Sequence, residues 1–171
     1  MALPALVLTH GVPGVVTRLG AQRVREMIFA AAFVPPEGTS IAEGTPWIIR
    51  MVARRIAKRN VPTPTPKWMS RLLFLNGVPA HRRGFMADKL YAESLRIITE
   101  KVTRRGMPGD IPRTWVLTRR DRALAPKLQR AYAAGLGGVQ TLVEIGTCHM
   151  LMVSEPERLA QIFIEHCRRH G

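Results

Sequence analysis

Residues 23–33 (RVREMIFAAAF), 113–118 (RTWVLT) and 139–145 (VQTLVEI) are apolar runs with little of the in–out alternation of a half-solvated strand. Such runs suit strands buried on both faces, as in a parallel sheet. Residues 5–9 (ALVLT) form a shorter run of the same kind. Turn signals bound them: Val34-Pro35-Pro36 stops the second run, Ile111-Pro112 precedes the third and Gly137-Gly138 precedes the last. Parallel neighbours need crossover connections, and helical segments lie where they are required, at 14–19, 126–134 and after residue 154. The last has the clearest start. Ser154 reads as its N-cap, Glu157 closes an S-x-x-E box, and Pro156 sits in the first turn, where its missing N–H costs little. Leu159, Ile162, Phe163 and His166 then recur at helical spacing. The alternation predicts an α/β fold with a mostly parallel sheet of about four strands.

Residues 38–109 break that rhythm. They read as helical, with Pro62, Pro64 and Pro66 as punctuation, and candidate helices at 47–58, 67–75 and 86–103. The chain of 171 residues is long enough for one sizeable core. It therefore divides into a first core segment (1–37), a helical cap insertion (38–109) and a C-terminal core segment (110–171).

Open parallel sheets bind ligands at the carboxyl ends of their strands. Asp121 follows the strand at 113–118 by three positions, and His149 follows the strand at 139–145 by four. Both lie in strand-to-helix loops and are expected at the same sheet edge. A carboxylate that accepts a hydrogen bond from a histidine ring nitrogen fixes its tautomer and stabilises its charged form during proton transfer. Two loop residues that never meet is the plain alternative. Cys148 adjoins His149, but adjacent loop residues usually point apart, and a buried apolar side chain is the expected role. Cys148 and Cys167 form no CxxC pair, no metal-ligand spacing is visible and no glycine-rich phosphate loop occurs. No metal and no cofactor is expected.

Three segments carry a resemblance. Residues 111–121 (IPRTWVLTRRD), with Pro126 and Gln129, resemble the acid-bearing loop of the α/β-hydrolases. The similarity is greatest to the methylesterase and hydroxynitrile-lyase branch and its bacterial esterase relatives. Residues 148–159 (CHMLMVSEPERL) resemble that branch's histidine loop and final helix, and residues 29–38 (FAAAFVPPEG) resemble the strand that leads into its cap. The resemblance implies a partial α/β-hydrolase fold, with Asp121 as the acid and His149 as the base of a triad.

The nucleophile departs from the pattern. The family's elbow reads G-x-S-x-G, whereas residues 8–14 read LTHGVPG. Gly11 falls near the expected serine position, or else a short deletion joins His10-Gly11 directly to the helix at 14–19. Neither alignment supplies a serine. Ser40, Ser70, Ser94 and Ser154 all lie outside any elbow. The family's second oxyanion donor comes from an early loop that would precede Met1, as would the first strands of the sheet. The resemblance thus implies a C-terminal part of the fold, with an uncharged sheet edge at 5–9 open to self-association or to a complementary chain.

Charge adds a separate expectation. Lys and Arg number 26 against 12 Asp and Glu, a net charge of +14. Such a chain favours anionic surfaces, nucleic acid or membrane headgroups. Residues 47–59 form a basic amphipathic segment, read either as a cap helix with a solvated basic face or as a membrane-surface helix. No zinc finger, aromatic RNA-binding strand or basic zipper accompanies the charge. Three functions remain open: a protein derived from a carboxylic-ester hydrolase, inactive alone; a non-catalytic protein that binds a small ester or apolar molecule under the cap; or a basic surface-binding protein. The thiols and the absence of a basic leader predict a cytoplasmic location.

Overall fold

The computed structural model describes residues 6–10, as backbone only, together with 24–105 and 107–170. The predicted helix at 14–19 and Gly11 lie outside the described residues. A four-stranded parallel sheet forms the centre, built from β1 (Leu6–His10), β2 (Met27–Phe33), β5 (Arg113–Thr118) and β6 (Thr141–Ile145), in the order β1-β2-β5-β6. Among the described strands β1 and β6 are the edges.

The two central strands behave as their composition demands. Every residue of β5 is buried, and β2 is buried up to Phe33. Alternation then sorts the side chains between two helices. Met27, Phe29, Trp115 and Leu117 face α5 (Pro126–Gly135), where Tyr132, Ala133 and Leu136 complete the cluster. Ile28, Ala30, Val116 and Ile145 face α7 (Pro156–Arg168), against Leu159 and Ile162. Trp115 stacks on Phe29 with ring centroids 5.6 Å apart. Each such buried large side chain contributes roughly 1.5–3 kcal/mol.

The run at 139–145 is not buried on both faces, contrary to its apolar appearance. Only Thr141–Ile145 is strand, and Leu142 and Glu144 are exposed while Val143 and Ile145 turn inward. It is an edge strand covered on one face, and Glu144 pairs with Arg130 in solvent. The predicted Ser154 cap is also corrected. Ser154 ends a short helix, α6 (Leu151–Ser154), and Glu155 occupies the N-cap of α7 without a side-chain bond. The Ser154 hydroxyl instead donates to Met150 O at 3.2 Å and lies 2.5 Å from the Thr147 hydroxyl. Pro156 stands in the first turn as expected.

The segment between β2 and β5 contains α1 (Trp47–Ala57), α2 (Lys67–Leu73), α3 (Ala80–Asp88) and α4 (Arg96–Thr99). It also holds an antiparallel pair, β3 (Pro62–Thr63) with β4 (Glu93–Ser94). The first three helices each begin immediately after a proline, Pro46, Pro66 and Pro79, held at φ between −51° and −53°. A fixed φ and the absence of an N–H to satisfy make proline a suitable entry to a helix. The helix predicted at 86–103 does not form. Pro79 starts a helix earlier, and residues 93–94 are extended because they pair with 62–63, a long-range choice that helical periodicity does not reveal.

Candidate active site

Asp121 lies just beyond the carboxyl end of β5, in a loop its own side chain organises. Oδ1 accepts the backbone N–H of Ala123 at 2.9 Å and of Leu124 at 2.7 Å, and Oδ2 accepts the Thr118 hydroxyl at 2.9 Å. These local bonds hold the turn and satisfy a buried carboxylate. Gln129, fully buried on α5, braces the same loop. Its amide donates to Leu124 O at 2.8 Å and to Thr118 Oγ1 at 3.0 Å, while its oxygen accepts Thr118 N–H at 3.1 Å.

Two side chains outside the loop also reach Asp121 Oδ2: Gln129 Nε2, at 3.5 Å, and a histidine. His149, beyond the carboxyl end of β6, places Nδ1 2.8 Å from Asp121 Oδ2. The carboxylate accepts, so Nδ1 carries a proton, and in the neutral ring Nε2 is then the acceptor nitrogen. Among the described residues nothing hydrogen-bonds to Nε2. The ring lies between Phe33 and Phe74, with centroids 5.3 and 5.4 Å away at tilts of 54° and 57°. The structure thus brings together the two residues that the sequence singled out, in a geometry suited to a general base. Gly11 lies outside the described residues. Cys148 is buried, and its thiol contacts the Ser154 hydroxyl at 3.7 Å rather than the imidazole. Ser40 and Ser70 are buried in the cap, and none of the four serines hydrogen-bonds to His149.

Two features around the pair were not legible beforehand. Ala31, inside β2, has φ +45°, a left-handed conformation that costs an alanine about 1–2 kcal/mol. There β2 parts from β5, after the Ala30–Val116 pairing, and its register with β1 slips, so that Phe33 reaches His149. The second feature is a strap from the cap, residues 74–78. Phe74 O accepts Met150 N–H at 3.3 Å, and Asn76 Nδ2 donates to Arg120 O at 2.8 Å. Gly77 lies against Cys148, so close that an added Cβ would fall 3.0 Å from its backbone nitrogen. Leu75 and Val78 bury themselves beside Cys148. The strap therefore laces the acid loop and the histidine loop together from above. Nothing in the sequence 75–78 (LNGV) marks it as such a strap.

Among the described residues no group of three His, Cys, Asp or Glu side chains is arranged to hold a metal ion.

No family model matches this sequence, and no curated protein matches it. Solved structures do. An extracellular α/β-hydrolase from a Paenibacillus species, described as sharing structural and functional homology with tobacco salicylic acid binding protein 2, superimposes with a TM-score of 0.78 at 19% identity, over 95% of this chain and 71% of that one. A methylesterase from Arabidopsis matches with a TM-score of 0.60 at 15% identity, over 94% and 68%. A pyrethroid hydrolase from Sphingobium faniae JZ-2 matches at 0.61 and 16%, over 96% and 70%. The chain has a partial α/β-hydrolase fold, spanning 68–71% of the length of these neighbours.

Proposed function

We propose that this chain derives from a carboxylic-ester hydrolase, keeps the acid and base of that site, and binds a small ester or apolar molecule between the cap and the sheet edge. The observation that carries this reading is the 2.8 Å contact between Asp121 and His149 at the carboxyl edge of the sheet, the ring lying between two phenylalanines with no hydrogen bond to Nε2 among the described residues. Two fold neighbours are named as a methylesterase and a pyrethroid hydrolase, which supports ester chemistry as the starting point. In an intact site of this type a serine attacks the ester carbonyl, the residue in the place of His149 takes its proton, and the residue in the place of Asp121 orients that base. Here Gly11 stands near the serine's position in the sequence. Among the described residues no hydroxyl hydrogen-bonds to His149, and on this reading the acylation step lacks its nucleophile.

The expected result is an absence of turnover with binding retained. Hydrolysis of a short nitrophenyl ester should not exceed that of a His149→Ala variant, while the same ester should saturably shift the His149 ring signals in an NMR titration. Turnover that vanishes in His149→Ala would mean that another group serves as nucleophile. Absence of any ring shift would remove the binding half of the reading. We also expect Gly11→Ser alone to leave the assay silent, because an elbow needs a strained turn and oxyanion donors as well as a hydroxyl.

A further inference from the structure

Helix α1 presents one long exposed face that changes character along its length. Trp47, Ile48, Met51 and Val52 occupy its first turns, Arg55 follows on the same side, and Lys58 and Arg59 extend the stripe into the turn just beyond the helix. The opposite side, Ala53 and Ala57, is packed within the cap. Trp47 is 65% exposed and Ile48 54%. Isolated apolar residues on a surface need no explanation, but four on one face of one helix do. The charge around them is one-sided. Nine Lys and Arg residues lie between Glu43 and Asp88, and no acidic residue does. The two flanking acids are occupied with Arg54 and Lys67. Arg55, Lys58 and Arg59 have no ion-pair partner among the described residues.

We propose that this face docks onto an anionic lipid bilayer, with Trp47, Ile48, Met51 and Val52 entering the headgroup–acyl boundary and Arg55, Lys58 and Arg59 meeting the lipid phosphates. Such a surface satisfies both halves of the stripe at once: apolar area leaves water, and fixed cations meet fixed anions. Tryptophan suits that boundary through its large ring and single polar N–H. Other occupants satisfy only one half. Nucleic acid offers phosphates but no partner for the aliphatic turns. A second copy packed parallel sets cation against cation on a chain of net charge +14, and packed antiparallel it sets cations on the apolar turns. No helix among the described residues is long and apolar enough to cross a membrane, so this contact lies at the surface.

The chain reports on the contact through its own fluorescence. Trp115 is fully buried, whereas Trp47 and Trp68 are 65% and 67% exposed, so a blue shift on adding vesicles must come from the cap. With vesicles of phosphatidylcholine containing a third phosphatidylglycerol, we expect co-sedimentation and a blue shift that persist in Trp68→Phe and disappear in Trp47→Phe. Each cation near an anionic surface contributes about fivefold in affinity, so Arg55→Gln/Lys58→Gln/Arg59→Gln should bind on the order of a hundredfold more weakly. Added salt should weaken the wild type in the same direction. All substituted side chains are exposed, and far-UV circular dichroism checks that the fold is kept. Equal binding to pure phosphatidylcholine, no binding to either vesicle, or a shift that survives Trp47→Phe would each overturn the proposal. So would tighter salt-sensitive binding to double-stranded DNA, or concentration-dependent self-association abolished by Trp47→Ser without lipid.

Discussion

Two buried carboxylate–histidine contacts stand at opposite ends of the sheet. At the carboxyl end, Asp121 meets His149 at 2.8 Å. At the amino end, Glu26, just before β2, meets His166 at 2.7 Å and His170 at 2.9 Å, and accepts the Thr114 hydroxyl at 2.6 Å. Chemistry, distance and burial are alike, but wiring is not. Asp121 takes three of its bonds from its own loop and a longer one from Gln129, eight positions on, and spends one on a histidine 28 positions away. Glu26 takes none from its own segment. It gathers β5 and the end of α7, its histidines lying 140 and 144 positions along the chain. The first arrangement aims a ring; the second fastens chain segments together. In an open parallel sheet the carboxyl edge is where ligands bind. A carboxylate–histidine pair is thus assigned a role by its place in the fold and by what else holds it, not by its composition.

The comparison breaks most readily at Glu26. Removing it leaves Thr114 and His166, both fully buried, without their acceptor. Losing one partner of a buried polar cluster costs about 3 kcal/mol or more. We therefore expect Glu26→Ala to give the largest loss among these sites, read as a fall in urea midpoint with little change in slope. Burial alone would raise the Glu26 pKa. The hydrogen bonds from Thr114 and His170, with the charge and hydrogen bond of His166, outweigh it and hold the carboxyl below its ordinary 4.5. A folded pKa below the unfolded one contributes stability above pH 4.5, and that contribution is lost as pH falls from 4.5 through the folded value. Acid should accordingly destabilise the wild type more steeply below pH 4.5 than it does Glu26→Gln. Parallel acid limbs would show that Glu26 is not the fastening group.

The asymmetry between the ends also separates what was legible in the sequence from what was not. Asp121 and His149 each follow an apolar run at short range, and the topology of a parallel sheet brings such positions to one edge. Glu26 and His166 carry no such mark, because their contact depends on where α7 ends relative to β2. His166 was counted among the helix's apolar positions by spacing alone. The strands at 27–33 and 113–118 were readable because burial on both faces leaves a continuous apolar run. The run at 139–145 misled, since position in the sheet, not composition, made it an edge. The cap misled at 86–103, where a two-residue strand pairing overrides helical periodicity, and Ser154 misled because Thr147 and Met150 offered its hydroxyl nearer partners. Ala31 has no signature at all: alanine does not announce a left-handed backbone.

A smaller effect is expected where the cap meets the histidine loop. Gly77→Ala sets a methyl group 3.0 Å from the backbone nitrogen and side chain of Cys148. Relief requires the strap or the histidine loop to move, and overpacking of this kind typically costs about 1–3 kcal/mol. The movement should register at His149, whose ring rests on Phe74 in the same strap. We expect lower thermal stability together with changed His149 ring shifts, while the His166 signals at the other end stay as they are. Unchanged His149 signals would mean that the strap covers the site without holding it.

The smallest effect is expected at His149. His149→Leu removes the imidazole but leaves Asp121 its three local donors, from Ala123, Leu124 and Thr118. The carboxylate therefore stays paired, unlike the groups orphaned at Glu26. Leucine can keep apolar contact with Phe33 and Phe74 and replaces a polar ring in an apolar setting. The lost hydrogen bond, about 1 kcal/mol, and the gained apolar contact oppose each other, so stability should change by less than about 1 kcal/mol in either direction. Residues kept for a site rather than for the fold characteristically cost little stability when replaced, and sometimes return some. A loss as large as that of Glu26→Ala would place His149 among the fastenings of the fold, and the two ends of the sheet would then differ in position only.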